Sequence, residues 1–151
     1  MNKRQRSIIT NFILVMAGTA IFVVVMINVK DVVNRSEAIR AMELLGKEVQ
    51  EYRNEYHSTP PESHFNQMKN SVSTVRLGEV QYRAQWIGFD DGPDTVLAYS
   101  YKNYRFLVGR GYVVMRLDGS VEWIERDEFI KLLKKQQTDA EVELLNKQQR
   151  F

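Results

Sequence analysis

The sequence has no cysteine among its 151 residues. This excludes disulfides, thiolate metal sites, cysteine nucleophiles and the acylated cysteine of a lipoprotein. Histidine is scarce as well, since only His57 and His64 occur. Neither a Gly-x-Ser-x-Gly element nor a phosphate-binding glycine loop is present. These absences lead us to expect a protein that is not an enzyme and that needs no organic cofactor.

Charge is absent from residues 7–29, most of which are Ile, Val, Leu, Phe, Met or Ala. As a helix this stretch would measure about 34 Å, enough to cross a hydrocarbon core of about 30 Å. Residues 1–6 form a short basic leader, which the positive-inside rule places in the cytoplasm. The sequence therefore predicts a single-pass protein of the inner (cytoplasmic) membrane, in contact with the lipid bilayer and with the rest of the chain in the periplasm.

A cleaved signal peptide is the alternative, because Gly18-Thr19-Ala20 offers the small residues that a signal peptidase requires. Cleavage there would leave the apolar stretch that begins at Ile21 at the new N-terminus. A soluble domain would then have to expose that stretch to water. We therefore expect the chain to keep its anchor.

The positive charge of the chain is concentrated around the apolar stretch. The bases that flank it are Lys3, Arg4, Arg6 and Lys30, and every acidic residue lies beyond position 30. Without those four bases the net charge of +2 becomes about −2 for the remainder. Tyr82-Arg83 and Tyr104-Arg105 have the aromatic–basic alternation of single-strand-binding sheets. Such residues are equally common on half-buried strands, so we expect no nucleic-acid partner.

Residues 30–57 are predicted to continue the same helix as an amphipathic stalk, because no helix breaker occurs before Pro60. Apolar residues recur there at spacings of three and four, which places them on one face. This stripe consists of Ile39, Met42, Leu45, Val49, Tyr52 and Tyr56. The opposite face is charged. We expect the stripe to pack on a folded domain or on another subunit.

Residues 58–126 are predicted to form a domain of antiparallel strands, because apolar residues recur at every second position after Pro61. The candidate strands are Glu79–Ile87, Thr95–Tyr101, Tyr104–Val108, Gly111–Leu117 and Ser120–Ile124. Lys102-Asn103 and Arg110 are predicted at tight connections. Asp118-Gly119 predicts a hairpin with a type I′ turn, in which both central residues take a positive φ.

The rest of the chain completes an α+β fold class. Residues 127–151 are predicted to form a C-terminal helix and tail, in which Phe129, Leu132 and Leu133 pack. Residues 58–73 are predicted to be the longest irregular segment. The sequence therefore predicts a long N-terminal helix, transmembrane and then amphipathic, that packs on a small antiparallel β-meander followed by a C-terminal helix.

Three segments resemble one known family. Residues 48–60 read EVQEYRNEYHSTP, residues 88–94 read GFDDGPD and residues 113–123 read VVMRLDGSVEW. In turn they resemble the end of the stalk helix, the acidic glycine-rich loop and the closing Asp-Gly-x-Val-Glu hairpin of type IV pilin-like proteins. Among these they are most similar to the major pseudopilin of type II secretion.

The resemblance implies a pilin-like fold and a non-enzymatic structural subunit of a pilus-like or secretion-type envelope assembly. Its partners would be other envelope subunits, including copies of itself joined through the N-terminal helix. The resemblance also implies a calcium ion in the acidic loop, with Asp90, Asp91 and Asp94 as candidate oxygen ligands. The alternative is a solvated turn, since Asp, Gly and Pro are the ordinary residues of turns.

The leader departs from the pattern of that family. The family is cut after a glycine and carries an acid five residues into the apolar run, whereas residues 7–12 read SIITNF here. We therefore expect a pilin-like protein that keeps an uncut anchor. The alternative is a bitopic accessory or scaffold subunit of another membrane complex, unrelated to pilins.

Overall fold

The computed structural model describes residues 3–72, 76–105 and 108–148. Its helices are α1 (Lys3–Tyr56), α2 (Glu62–Ser71), α3 (Arg126–Gln136) and α4 (Asp139–Gln148). Its strands are β1 (Gln81–Tyr82), β2 (Val96–Asn103), β3 (Arg110–Arg116) and β4 (Val121–Glu125). The strands form one antiparallel sheet in the order β1-β2-β3-β4. The chain is thus an α+β protein with a long N-terminal helix, a meander and C-terminal helices, as the sequence predicts.

Helix α1 is a single helix of 54 residues. The most apolar stretch of 18 residues in α1 has a mean hydropathy of 2.6, and none of it is buried against the rest of the chain. By length and composition this part is compatible with a membrane anchor. The helix ends at Tyr56, because His57 takes a left-handed φ of 49° and donates its N–H to the carbonyl of Arg53 at 2.9 Å.

Helices cover the sheet on both faces. Under α1 and α2, the sheet contributes Leu97, Ala98, Val113 and Met115 to one core. Under α3, a second core consists of Val96, Val114, Ile124 and Phe129. The pairing of β2 with β3 shifts register between Val96 and Ala98. Alternation along each strand sends neighbouring residues to the two cores, and this bulge lets the consecutive residues Leu97 and Ala98 face the same one.

The stripe of the stalk lies largely under the domain. Met42, Leu45 and Val49 are fully buried, whereas Tyr56 is exposed. Ile39 and Tyr52 are half-buried. Gly46 marks a close approach of α1 to the sheet, since a Cβ there would lie 3.1 Å from Sδ of Met115. Glycine costs a helix about 1 kcal/mol relative to alanine, and here the missing side chain lets the helix and the strand come together.

The hairpin turn at Asp118-Gly119 is not the predicted type I′. Only Gly119 takes a positive φ, of 87°. The N–H of Gly119 donates to the carbonyl of Arg116 at 3.0 Å, and the N–H of Arg116 donates to the carbonyl of Ser120 at 2.9 Å. This is a type I turn closed by a glycine bulge. Asp118 keeps an ordinary φ. Its carboxylate accepts the hydroxyl of Ser120 at 2.6 Å and the N–H of Ser120 at 2.8 Å, and these two hydrogen bonds lower its pKa.

The predicted strand Tyr104–Val108 is wrong in its described residues. Tyr104 and Arg105 have no strand pairing and Val108 lies in a turn, while residues 106 and 107 lie outside the described residues. Strand β2 instead continues to Asn103, which pairs with Arg110. The predicted connections at Lys102-Asn103 and Arg110 are therefore inside strands. The turn closes later, where the N–H of Tyr104 donates to the carbonyl of Gly109, whose φ is 69°.

The strand predicted over Glu79–Ile87 pairs only at Gln81 and Tyr82. The chain then turns at Arg83 into a 3₁₀ helix over Ala84–Trp86. This turn directs the side chain of Arg83 inward, to a partner that alternation alone does not indicate.

The segment 58–73 is not the irregular piece that the sequence predicts, because α2 occupies most of it. Pro61 precedes the first helical residue with a compatible φ of −65°. Glu62 in the first turn complements the helix dipole. Phe65 and Met68, three residues apart, are buried against α1 and the sheet. This short helical period was the signal that the sequence analysis missed.

The C-terminal region forms two helices rather than the single predicted one. Gln137 is extended, with ψ of 141°. Thr138 then caps α4, because its hydroxyl accepts the N–H of Glu141 at 3.3 Å. Thr138 and Glu141 have the spacing of a capping box. Of the residues predicted to pack here, Phe129 is buried, and Leu132 and Leu133 are half-buried.

We expect Leu45→Ala to lower the free energy of unfolding by about 2–5 kcal/mol, because it empties a fully buried site under α1. Leu44, the next residue of the same helix, is 47% exposed and provides the matched control. Leu44→Ala should cost about 0.5 kcal/mol or less. Denaturant titration of the full chain in neutral detergent, followed by tryptophan fluorescence, measures both. Equal losses would contradict the packing described above.

Candidate functional site

The C-terminal end of the stalk, which is the end far from the apolar segment, contacts the turn between β3 and β4. Gln50 Nε2 donates to the carbonyl oxygen of Leu117 at 2.8 Å, and Arg53 Nη1 donates to the same oxygen. Arg53 also donates to the carbonyl of Phe89 at 3.2 Å, and its guanidinium carbon lies 5.0 Å from the centre of the Phe89 ring. Gly119 is required by contact as well as by φ, since a Cβ there would lie 2.8 Å from Cγ of Gln50.

The near end of the stalk, next to the apolar segment, is joined to the same domain. The carboxylate of Asp31 accepts the backbone N–H of Arg105 at 2.8 Å. The guanidinium carbon of Arg35 lies 5.7 Å from the centre of the Trp123 ring, a distance at which a cation is attracted to an aromatic face. One helix therefore contacts the domain through polar groups at both ends and through the apolar stripe between them.

Trp123 is the centre of the near contact. A Cβ on Gly111 of β3 would lie 2.5 Å from the ring of Trp123 on β4. Only glycine at position 111 therefore leaves room for the indole. The rings of Tyr104 and Trp123 are tilted, with their centres 5.7 Å apart. Burial raises the pKa of Tyr104, and the nearby carboxylate of Asp31 raises it further. The phenol is thus held neutral in a contact between the helix and the sheet.

Arg76 adds an exposed contact at this end. Its Nε lies 2.8 Å from the carboxylate of Glu37, and its Nη1 donates to the side-chain oxygen of Asn34 at 3.4 Å. Both members of the ion pair are about half exposed, so the pair contributes about 1 kcal/mol or less. Its role is to fix the segment before β1 beside the helix rather than to stabilise the fold strongly.

A buried ion pair joins α4 to the sheet. Arg83 Nε donates to Glu141 Oε1 at 2.7 Å and Arg83 Nη2 donates to Glu141 Oε2 at 2.9 Å. The two side chains are only 3% and 2% exposed. Arg83 also donates to the carbonyls of Val96 at 2.8 Å and Gln136 at 3.1 Å. This fork of four hydrogen bonds satisfies the guanidinium in an interior where an unpaired charge would be costly.

Gln136 completes the same contact. Its side-chain oxygen accepts the N–H of Val96 at 2.8 Å, and its side-chain nitrogen donates to the carbonyl of Asp94 at 3.1 Å. The end of α3 thereby satisfies backbone groups at the start of β2. Neither this amide nor the Arg83–Glu141 pair is indicated by a local sequence pattern. The one available signal was the capping-box spacing of Thr138 and Glu141, which predicts a second helix but not its partner.

The acidic loop does not gather its carboxylates. Asp91 accepts the backbone N–H of Gly88, three residues earlier, at 2.9 Å. Asp94 Oδ1 lies 3.6 Å from Arg116 Nη1, and Asp90 is exposed. Among the described residues, no three His, Cys, Asp or Glu side chains are placed to hold one metal ion. This geometry favours the solvated turn, and the calcium site stays a prediction.

The remaining sequence features serve separate contacts. The ring of His57 lies edge-on to Phe89, with centres 6.5 Å apart, whereas that of His64 lies 4.9 Å from Tyr52. The two histidines thus have different neighbours. Of the two Tyr–Arg pairs noted in the sequence, Arg83 is buried in its ion pair and Tyr104 lies against Trp123. These residues therefore serve internal contacts in this fold.

Comparison of the chain with models of known protein families, with curated proteins and with solved structures found no match. The function therefore has to be argued from the contacts above.

We expect Glu141→Gln to lower the free energy of unfolding by about 3–5 kcal/mol, because it leaves the charge of Arg83 buried and unpaired. The double substitution Arg83→Met with Glu141→Leu should recover much of that loss, since no charge then remains inside. Glu43→Gln, at an exposed position of α1, controls for the change of charge. Denaturant titration measures all three. If Glu141→Gln were as stable as Glu43→Gln, the buried ion pair would be dispensable for stability.

We expect calcium to leave the thermal unfolding midpoint unchanged, because Asp91 and Asp94 already have partners inside the chain. Differential scanning calorimetry of the full chain in detergent, in calcium and then in chelator, is the measurement. A midpoint that rises with calcium, and that no longer does so in Asp91→Asn, would instead assign an ion to this loop.

Proposed function

We propose that this chain is a non-enzymatic structural subunit of a membrane-embedded envelope assembly, built like a pilin. The observation that carries the proposal is the division of α1 into two parts. One part is apolar and makes no buried contact with the rest of the chain, and the other is the central support of the folded domain. A helix of this kind passes any displacement of its anchor directly to the domain.

The contacts at the two ends of the stalk support a mechanical role. The contacts at Asp31 and at Arg53 are separated by 22 positions of one helix, or about 33 Å at 1.5 Å per residue. Between them the stripe is buried, so the domain cannot swing on the helix without opening its core. A subunit of this form would present its apolar segment and its sheet domain to neighbours in a fixed relative orientation.

The pilin-like interpretation adds the location and the partners. The basic leader favours a cytoplasmic N-terminus, with the domain in the periplasm and the anchor in the inner membrane. The bare apolar segment would then pack on the same segment of neighbouring subunits. Residues 7–12 lack the cleavage pattern and the acid of filament-forming pilins. For this reason we propose an uncut subunit that stays in the membrane.

The second candidate is a bitopic accessory subunit of another membrane complex. The same observation about residues 7–12 favours it, because nothing in that leader requires a pilin-type assembly. The two candidates share the anchor and differ in their neighbours. A pilin-like subunit would contact copies of itself, whereas an accessory subunit would contact a different protein.

Photo-cross-linking in membranes tests the proposal. A benzophenone amino acid replaces Phe22, which is 64% exposed in the apolar segment. We expect irradiation to give adducts with a second copy or with another membrane protein, and N-terminal sequencing to find an uncut chain. The control is the same sample irradiated after dilution into detergent, which separates weakly associated helices. Adducts with lipid alone would refute a role as an assembly subunit.

A further inference from the structure

The depth of the folded domain in the membrane follows from the helix. If residues 7–29 cross the hydrocarbon core, Asp31 lies about 3 Å beyond it and Arg35 about 9 Å beyond it, at 1.5 Å per residue. The headgroup layer on each side of a bilayer is about 5–8 Å thick. Asp31 therefore lies within the headgroups and Arg35 at their outer boundary.

The folded domain reaches down to this level. The 2.8 Å hydrogen bond from the N–H of Arg105 to Asp31 places Arg105 among the headgroups. Trp123 lies against Arg35, and Tyr104 lies against Trp123. On the helix surface turned away from these contacts, Val32 and Val33 are each about half exposed. Exposed apolar side chains thus extend to the level at which the domain begins.

Basic and aromatic side chains predominate at this level, beside the acids Asp31 and Glu125. We define the rim as Lys30, Arg35, Tyr104, Arg105, Arg110 and Trp123. Arg105 and Arg110 are exposed on either side of the β2–β3 connection, and Lys30 is exposed on the helix. Asp31, the residue after Lys30, accepts the backbone N–H of Arg105.

Two further acids adjoin the rim. Glu37 pairs with Arg76, and Glu125 is exposed at the end of β4. Glu125 pairs with Gly111, next to Arg110, and so lies at the same level as Asp31. The four bases of the rim outnumber these two acids, so the surface is basic and aromatic on balance, the composition that anchors proteins at the level of lipid headgroups.

We propose that the rim binds the phosphate groups of anionic phospholipid headgroups. This inference rests on the membrane anchoring that we propose above. Guanidinium groups match phosphate oxygens with paired N–H donors. Tyr104 and Trp123 are amphipathic rings of the kind found at the membrane surface. Lipid would thereby fix the tilt of the domain against the bilayer, in addition to the anchor, which sets its height.

Lipid titration of the full chain in neutral detergent, followed by native mass spectrometry, tests this binding. Phosphatidylglycerol is the anionic probe and phosphatidylcholine the neutral one. We expect tighter binding of phosphatidylglycerol, weakened by added salt. Arg105→Gln with Arg110→Gln should weaken it by about fivefold for each arginine, the usual attraction of one basic residue to an anionic membrane surface. Circular dichroism checks that the variants fold.

The matched control removes the same charge elsewhere. Lys134 and Lys135 are exposed in the last turn of α3. Gln136, the next residue, contacts Val96 at the end of the sheet opposite the rim. Lys134→Gln with Lys135→Gln should leave the preference for phosphatidylglycerol unchanged. Equal affinity for the two lipids, an unaltered preference in the arginine variant, or an equal loss in the lysine variant would each overturn the inference.

Carbonate extraction of cell membranes separates this inference from the proposed function. A wild-type chain that resists extraction but shows no preference for anionic lipid overturns the rim alone. A chain that carbonate releases from the membrane overturns the anchor and the rim together.

Discussion

The rest of the structure depends on one helix, whose first half is apolar and not buried and whose second half lies in the core of the folded domain. The backbone of α1 satisfies its own hydrogen bonds, so the same element is suited both to hydrocarbon and to a protein core. Its apolar half makes no buried contact with the chain, while Met42, Leu45 and Val49 in the other half are fully buried. No hinge residue separates the halves, since the helix is unbroken from Lys3 to Tyr56. The position of the domain is therefore set by the helix.

The sheet needs helices on both faces because both faces carry apolar side chains. Alternation along β2 and β3 sends neighbouring residues to opposite cores, while the bulge between Val96 and Ala98 turns Leu97 and Ala98 to the same one. Helix α1 covers one core and Phe129 of α3 covers the other. The Arg83–Glu141 pair then joins α4 to the start of the sheet. A buried pair of this kind adds little net stability, but it penalises any arrangement in which its partners separate.

The candidate site consists of residues that join the stalk to the domain. Asp31, Arg53 and Trp123 each contact groups far away in sequence. None of them belongs to a catalytic or metal-binding motif. Their significance is geometric, because they fix the edge of the domain at a definite height above the apolar segment. The structural role that we propose requires this property and no unusual reactivity of individual side chains.

Local sequence determined the elements that have a long periodic pattern or that require one particular residue type. The uncharged stretch 7–29, the stripe through Met42 and Leu45 and the turn at Gly119 all follow from periodicity or from a required positive φ. Short patterns were ambiguous. Two apolar residues, Phe65 and Met68, are too few to predict α2. Apolar and polar residues go on alternating past Asn103, although the pairing of β2 ends there.

Only the tertiary structure decided which polar groups are partners. Arg83 and Glu141 are 58 positions apart, and Asp31 and Arg105 are 74 apart. No local pattern couples such residues, because the free energy of their contact arises from burial and distance after the chain has folded. The sequence by itself determined an apolar segment, a stalk and a meander. The fold decided that the apolar segment and the domain are joined by one unbroken helix.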